Sequence, residues 1–238
     1  MKGIADLRVK IFADGADVAT IRRLAAQPYV RGFTTNPTLM HKAGVDDYRS
    51  FARAVLAAVP DRPVSFEVLS DDFPAMDVEA REIASWGRHV YVKVPVTNTA
   101  GRPSYDVIRA LSQSGVQVNV TAILTLDQVR RTVCALEGGA PAQISVFAGR
   151  IADTGRDPVP TMREAAAIMA GTPQIELIWA SPRELLNVFQ ADEAGCHIIT
   201  VTSDLMQKFP IIGKDLDEFS LETVRMFFDD ARKAGLVL

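Results

Sequence analysis

The chain has 238 residues, 48% hydrophobic, 7% aromatic and 23% charged, with a formal net charge of −3, a composition suited to a globular protein with a substantial core. No basic run stands out, which argues against nucleic acid as a main partner. No apolar signal core and no stretch of about 18 apolar residues occurs, which argues against a membrane partner and points to a cytoplasmic protein.

Short runs rich in Val, Ile, Phe and Thr alternate with helical patterns from end to end. Eight runs read as strands: Val9–Asp14, Val30–Asn36, Val64–Leu69, His89–Val96, Val116–Ala122, Gln143–Ala148, Ile175–Ser181 and His197–Thr202. Several are near-continuous apolar segments, as expected of strands covered on both faces. After the second run, Tyr48, Phe51, Ala52, Val55, Leu56 and Val59 recur at offsets of three and four and predict a helix with one apolar stripe. After the fifth, Leu126, Val129, Val133 and Leu136 do the same, and Thr125-Leu-Asp-Gln128 opens that helix with a capping-box pattern. Ser181-Pro182-Arg183-Glu184 predicts another capped helix, with proline at its first position and Arg183 just inside. After the eighth strand, Leu221, Val224, Phe227, Phe228 and Ala231, with Phe219 just ahead, form the apolar face of a final helix. Such a helix packs on its own barrel or on a neighbouring subunit. Cys134 and Cys196 lie far apart among apolar or small residues, which predicts reduced, buried thiols.

Eight β/α units in this length predict one α/β domain, a (β/α)8 TIM barrel over residues 1–215, with an additional C-terminal helix at 216–238. The alternative is a doubly wound open sheet, which would carry a Gly-rich turn after its first strand; none follows Val9–Asp14.

In a barrel, chemistry sits at the C-terminal ends of strands. Asp14 ends the first strand, and Thr34, Thr35 and Asn36 end the second. Glu67 interrupts the third and Lys93 the fourth; Asn119 and Thr121 alternate in the fifth. Ser145 lies in the sixth with Phe147 and Arg150 beyond it, and Ser181 ends the seventh with Arg183 close behind. Each has a plain alternative: Asp14, Asn36 and Ser181 as caps or turn residues, Thr121 and Ser145 as internal hydrogen-bonders, Arg150 and Arg183 as surface charges, Glu67 and Lys93 as a structural ion pair. One polar group per strand end is a poor outcome of chance placement. Removing water from an ammonium favours the neutral amine, a nucleophile able to form a Schiff base with a carbonyl. Two carboxylates in different environments, Glu67 and Asp14, can divide the acid and base tasks. Two arginines near Ser181 offer a phosphate site. His41, His89 and His197 are scattered without metal-ligand spacing, and no Gly-rich nucleotide motif is present.

Gly32-Phe-Thr-Thr-Asn-Pro-Thr-Leu39 resembles the GVTTNPSL segment of transaldolases, and Val92-Lys-Val-Pro-Val-Thr97 resembles their Schiff-base lysine strand. Val118-Asn-Val-Thr121, Ile144-Ser-Val-Phe-Ala-Gly-Arg150 and Ala180-Ser-Pro-Arg183 are similar to three further segments, in the same order. The resemblance is to the transaldolase and fructose-6-phosphate aldolase family, the small bacterial members in particular. It implies that Lys93 forms a Schiff base with a ketose C2 carbonyl and that Asp14 takes the C4 hydroxyl proton. It implies that Glu67 moves protons through a water held with Thr121. Asn36 and Ser145 would bind hydroxyls of the dihydroxyacetone unit, with Thr35 and Asn119 nearby. Arg150, Ser181 and Arg183 would bind the phosphate. The aldolases carry Gln where Glu67 stands and Tyr where Phe147 stands, so these two positions favour transfer over cleavage.

The implied activity is transfer of a dihydroxyacetone unit from fructose 6-phosphate or sedoheptulose 7-phosphate to an aldose phosphate, as in the pentose phosphate pathway. No cofactor is implied, and the partners are sugar phosphates and a homo-oligomer, pentamer or decamer. Rivals are a fructose-6-phosphate aldolase-like or specialised biosynthetic enzyme on another sugar phosphate, and a non-catalytic phosphosugar-binding barrel. Val146, where larger relatives have proline, Thr200-Val-Thr-Ser-Asp204 and the loop from Val96 to Tyr105 depart from the pattern.

Overall fold

A computed structural model describes residues 3–236, so residues 237 and 238 of the expected final segment lie outside the described residues. The elements run β1 (Lys10–Asp14), α1 (Val18–Ala25), β2 (Val30–Thr34), α2 (Pro37–Lys42), α3 (Tyr48–Ala58), β3 (Val64–Glu67), α4 (Phe73–Ser85), β4 (Val90–Pro95) and α5 (Tyr105–Gln113). They continue with β5 (Val118–Ile123), α6 (Leu126–Leu136), β6 (Ala142–Val146), α7 (Ala148–Ala152), α8 (Val159–Ile168), β7 (Ile175–Trp179), α9 (Leu186–Glu193), β8 (Ile198–Thr202), α10 (Ser203–Met206) and α11 (Leu216–Lys233). The eight strands are parallel and close in sequence order, β8 pairing with β1. The fold is a (β/α)8 TIM barrel, as the alternation predicts. Among the described residues no helix is long and apolar enough to cross a membrane.

The period of two along each strand explains the sequence pattern. Ile11, Phe66, Val92, Val94, Val118, Val120, Ile144, Leu177 and Val201 belong to one buried cluster with helix residues such as Val55, Met76, Ile108 and Val129. Positions between them face the barrel interior, and there the barrel divides. On the β1–β2–β7–β8 side, Phe12, Ile178, Ala180 and Ile198 form a separate apolar cluster, with Phe147 packed against it. On the β3–β6 side the inward positions include Ser65, Glu67, Tyr91, Lys93, Asn119, Thr121, Gln143 and Ser145, and Asp14, Thr34 and Thr200 add polar groups from β1, β2 and β8.

Two expectations need correction. Cys196 is buried, and burial pushes its thiol up to about 12, but Cys134 is exposed. The buried stripe of α6 runs through Val129, Thr132, Ala135 and Leu136, which turns position 134 toward solvent despite its apolar neighbours. The second correction concerns Ser181, which caps no helix. Its backbone is left-handed (φ 61°), and α9 begins only at Leu186. The amides of Arg183 and Glu184 instead donate to Asn187 Oδ1, at 2.7 and 3.1 Å. The Thr125 capping box forms as predicted.

Gly32 shows how tightly the apolar side is filled. It is in register with Phe12, and a Cβ there would stand 2.5 Å from the Phe12 ring. Gly32→Ala is expected to cost about 1–3 kcal/mol through overpacking. Urea unfolding measures this, and Phe12→Leu in the same chain should recover part of the loss.

Candidate active site

Lys93 sits in mid-β4 on an inward position and is 7% exposed. Its Nζ donates to the Thr35 carbonyl oxygen at 2.8 Å and lies 2.8 Å from Glu67 Oε2. Glu67 ends β3 and is the register partner of Lys93. The backbone of Glu67 is gripped by Tyr48 at the start of α3. The Tyr48 hydroxyl accepts from Glu67 N at 2.8 Å and donates to Glu67 O at 2.9 Å. Burial raises the Tyr48 phenol well above its ordinary value, which keeps that donor proton in place. Edge-on packing against Phe66 and Trp86 fixes the ring.

Asp14 ends β1. Its Oδ1 accepts from Thr34 Oγ1 at 2.8 Å, while Asn36 Nδ2 reaches Oδ2 only at 3.4 Å. Burial pushes the Asp14 carboxyl up; the Lys93 charge and the Thr34 hydrogen bond pull it down, and the Glu67 charge adds to the rise. Asn36 also caps α2, its Oδ1 accepting from Leu39 N at 2.9 Å, so its plain reading holds as well.

Behind the site, side chains of three strands are linked. Ser145 Oγ donates to Asn119 Oδ1 at 2.7 Å, and Asn119 Nδ2 donates to Ser65 Oγ at 3.1 Å. The Thr35 hydroxyl donates to the Ser65 carbonyl at 3.0 Å. Thr121 Oγ1 is buried and has no hydrogen-bond partner.

A cavity of about 400 Å³ opens at the C-terminal ends of the strands, where catalytic groups of such barrels sit. Every predicted site residue lines it except Thr35 and Asn119, which lie behind the wall and hold Lys93 and Ser145. Phe147 forms part of the wall. Arg150, on α7, and Arg183, in the loop after β7, stand at the edge. Arg183 Nε donates to Asp153 Oδ1 at 2.8 Å, and hydrogen bonding to Arg183 holds Asp153 below its ordinary value. The two arginine-bearing segments touch through Gly149, where a Cβ would lie 1.5 Å from the Ser181 carbonyl oxygen. Only glycine permits that approach.

Four threonines that line the cavity, Thr34, Thr38, Thr200 and Thr202, carry no role in the sequence reading, and neither does Tyr48, which braces Glu67. The signal for Thr34 was its parity with Gly32, and for Thr200 its parity with Ile198. Tyr48 had none, since it reads as one more member of a helix stripe.

A sequence-family model described as transaldolase/fructose-6-phosphate aldolase matches residues 11–237. A protein named "Probable transaldolase" from Thermoanaerobacter sp. is 33% identical over 234 residues, covering 96% of this chain and 99% of its own. One of the same name from Dehalococcoides mccartyi is 34% identical over 215 residues, covering 89% and 96%. The crystal structure of KGPDC from Streptococcus mutans superposes with a TM-score of 0.59 at 10% identity, covering 84% of this chain and 90% of that one, a likeness of fold alone.

The Asp14 environment has a stability consequence. A carboxyl raised in the folded state costs stability as pH rises through its folded value, and the cost is absent below the unfolded value near about 4. Asp14→Asn is therefore expected to raise Tm at neutral pH, with the gain shrinking toward zero on acidification below about pH 4. Thermal melts across that range check the sign.

Proposed function

The chain belongs to the transaldolase/fructose-6-phosphate aldolase family, and on that premise we propose that it is a transaldolase working through a Schiff base on Lys93. The observation that carries this reading is the Lys93 amine held 2.8 Å from the Glu67 carboxylate, in a cavity shared with Asp14 and two arginines.

An ammonium has three N–H bonds. One points to the Thr35 carbonyl and one to Glu67; the third is left for the cavity. A proton passing to Glu67 along the 2.8 Å contact leaves a neutral amine that attacks the ketose C2 carbonyl. Glu67, now an acid, protonates the carbinolamine hydroxyl, which departs as water and leaves an iminium. Asp14 takes the C4 hydroxyl proton as the C3–C4 bond breaks, the bonding electrons flow into the iminium, and an aldose phosphate leaves. The enamine kept on Lys93 attacks an acceptor aldehyde, and hydrolysis returns the amine. Thr121, buried with an unpaired hydroxyl, suits a water between Glu67 and the substrate. Asn36 and Ser145 suit the dihydroxyacetone hydroxyls, and Arg150, Ser181 and Arg183 the phosphate. Glu67 favours transfer because a carboxylate shuttles a proton that an amide cannot. Phe147 supports it, because it lacks the hydroxyl with which a tyrosine would hold water.

α11 supports a homo-oligomer, the natural setting for this cytoplasmic enzyme. None of its residues is buried, and Phe219, Leu221, Val224, Phe227 and Phe228 are exposed along it. An apolar row of this kind on an 18-residue helix that its own barrel leaves open suits a second copy of the chain.

Three outcomes are expected. Borohydride with fructose 6-phosphate should trap one lysine, Lys93, by peptide mass, and Lys93→Met should abolish trapping. Product formation should then depend on added erythrose 4-phosphate. Free dihydroxyacetone without acceptor would mean cleavage, and ligand binding without trapping would mean a silent phosphosugar-binding barrel. Light scattering after size exclusion should give an oligomer that Phe227→Asp shifts toward monomer; a monomeric wild type would overturn the role given to α11.

A further inference from the structure

We infer that Thr200, on β8, is a positioning residue that acts through Thr34 to hold Asp14 as a carboxylate with Oδ2 facing the cavity. Thr34 carries one hydroxyl proton, and its Oγ1 stands 2.8 Å from Asp14 Oδ1. An ionised carboxylate only accepts, so that proton belongs to the Asp14 contact. The Thr34 and Thr200 hydroxyls are also in hydrogen-bond contact. With the Thr34 proton committed, Thr200 must be the donor. The result is a one-way run, Thr200 to Thr34 to Asp14, crossing from β8 over β1 to β2.

The neighbouring threonine does not share this task, since the Thr202 hydroxyl is engaged with the Asp204 carboxylate. Thr200 is 6% exposed and Thr34 4%, so water competes little for either hydroxyl. Donors in series polarise one another, and donors to the charged form favour it against the cost of burial. The run also decides which oxygen works. Oδ1 is tied to the barrel wall, while Oδ2 has only the 3.4 Å contact from Asn36 and is left for a substrate hydroxyl.

Lys93 and Glu67 act on the Asp14 charge, and other charged groups line the two hollows it borders. Lys93 and Glu67 face it across the barrel, and Arg150 and Arg183 stand at the cavity edge. Asp17, Lys42 and Asp204 line the adjoining hollow that Asp14 also borders. A change at Thr200 adds or removes no charge among them, so it isolates the hydroxyl run.

The catalytic consequence rests on the transaldolase reading; the hydrogen-bond run does not, and it can be tested without turnover. The probe is the carboxyl resonance of Asp14 in 13C-aspartate-labelled protein, assigned by its loss in Asp14→Asn. Thr200→Val should raise the Asp14 titration midpoint by about half a pH unit. Thr200→Ser should restore it, and Thr200→Ala, which adds no bulk, should repeat the Val shift if the Val chain folds poorly. In the active enzyme the acid limb of kcat/KM should move the same way and by the same amount, with borohydride trapping at Lys93 unchanged. A Thr200→Ala titration superimposed on wild type overturns the proposal. Failure of the wild type to trap Lys93 overturns the Schiff-base reading instead, and leaves the titration to decide the run by itself.

Discussion

A lysine ammonium and a glutamate carboxylate 2.8 Å apart inside a closed barrel of strands set the terms for the rest of the structure. Each charge alone would cost several kcal/mol to bury, and the pair is tolerable only where its geometry is fixed and its remaining polar atoms are met. The chain meets this from three directions. The Thr35 carbonyl takes a second lysine proton. Adjacent parallel strands put the two residues in register. Tyr48, reaching in from α3, grips both backbone polar groups of Glu67 so that the end of β3 cannot fray. The division of the barrel interior follows. Phe12, Ile178 and Ile198 fill part of the β1–β2–β7–β8 side, with Gly32 making room for the Phe12 ring, while Asp14, Thr34 and Thr200 of the same strands face the cavity.

Strain marks the rim of the cavity. Ala122 and Ser181 are the non-glycine residues with left-handed backbones among those described, and both line the cavity. Each conformation costs on the order of 1 kcal/mol. At Ala122 the strand pairing shifts register between Val120 and Ile123, so two successive residues, Thr121 and Ala122, border the cavity where strict alternation would allow one. At Ser181 the turn brings a carbonyl against Gly149 and folds the Arg183 loop toward Asp153. The strain is held in place by ordinary contacts outside the cavity, the Asn187 side chain among them.

Much of this was legible in the sequence, because periodicity and strand-end chemistry are local signals. All eight strands were recoverable, and the polar residues singled out on them, Thr35 and Asn119 apart, share one cavity. What escaped reading depends on contacts between distant segments. Tyr48 sits in a helix stripe and looks like core; only the approach of α3 to β3 reveals what its hydroxyl does. Thr35 looks like a site residue beside Asn36, yet alternation turns its side chain to Ser65 behind the wall and leaves its carbonyl for Lys93. Ser181 has the residue and the following proline of a helix start, but its backbone is left-handed and sets its carbonyl against Gly149 instead. Cys134 has apolar neighbours on both sides and still faces outward, because helix phase outranks local composition.

The committed protons also constrain what the cavity can recognise. Ser145 spends its proton on Asn119, and Thr34 spends its own on Asp14. Toward the cavity, Ser145 therefore offers lone pairs. Asp14 and Glu67 as carboxylates offer lone pairs too. Three acceptors stand around Lys93, which suits a ligand that brings donors, as a polyhydroxylated chain does. Thr121 is the exception, a buried hydroxyl whose proton no protein group has claimed. It can give or take a hydrogen bond as the charge on its neighbours changes, which is what a water-mediated proton transfer asks of the residue that holds the water.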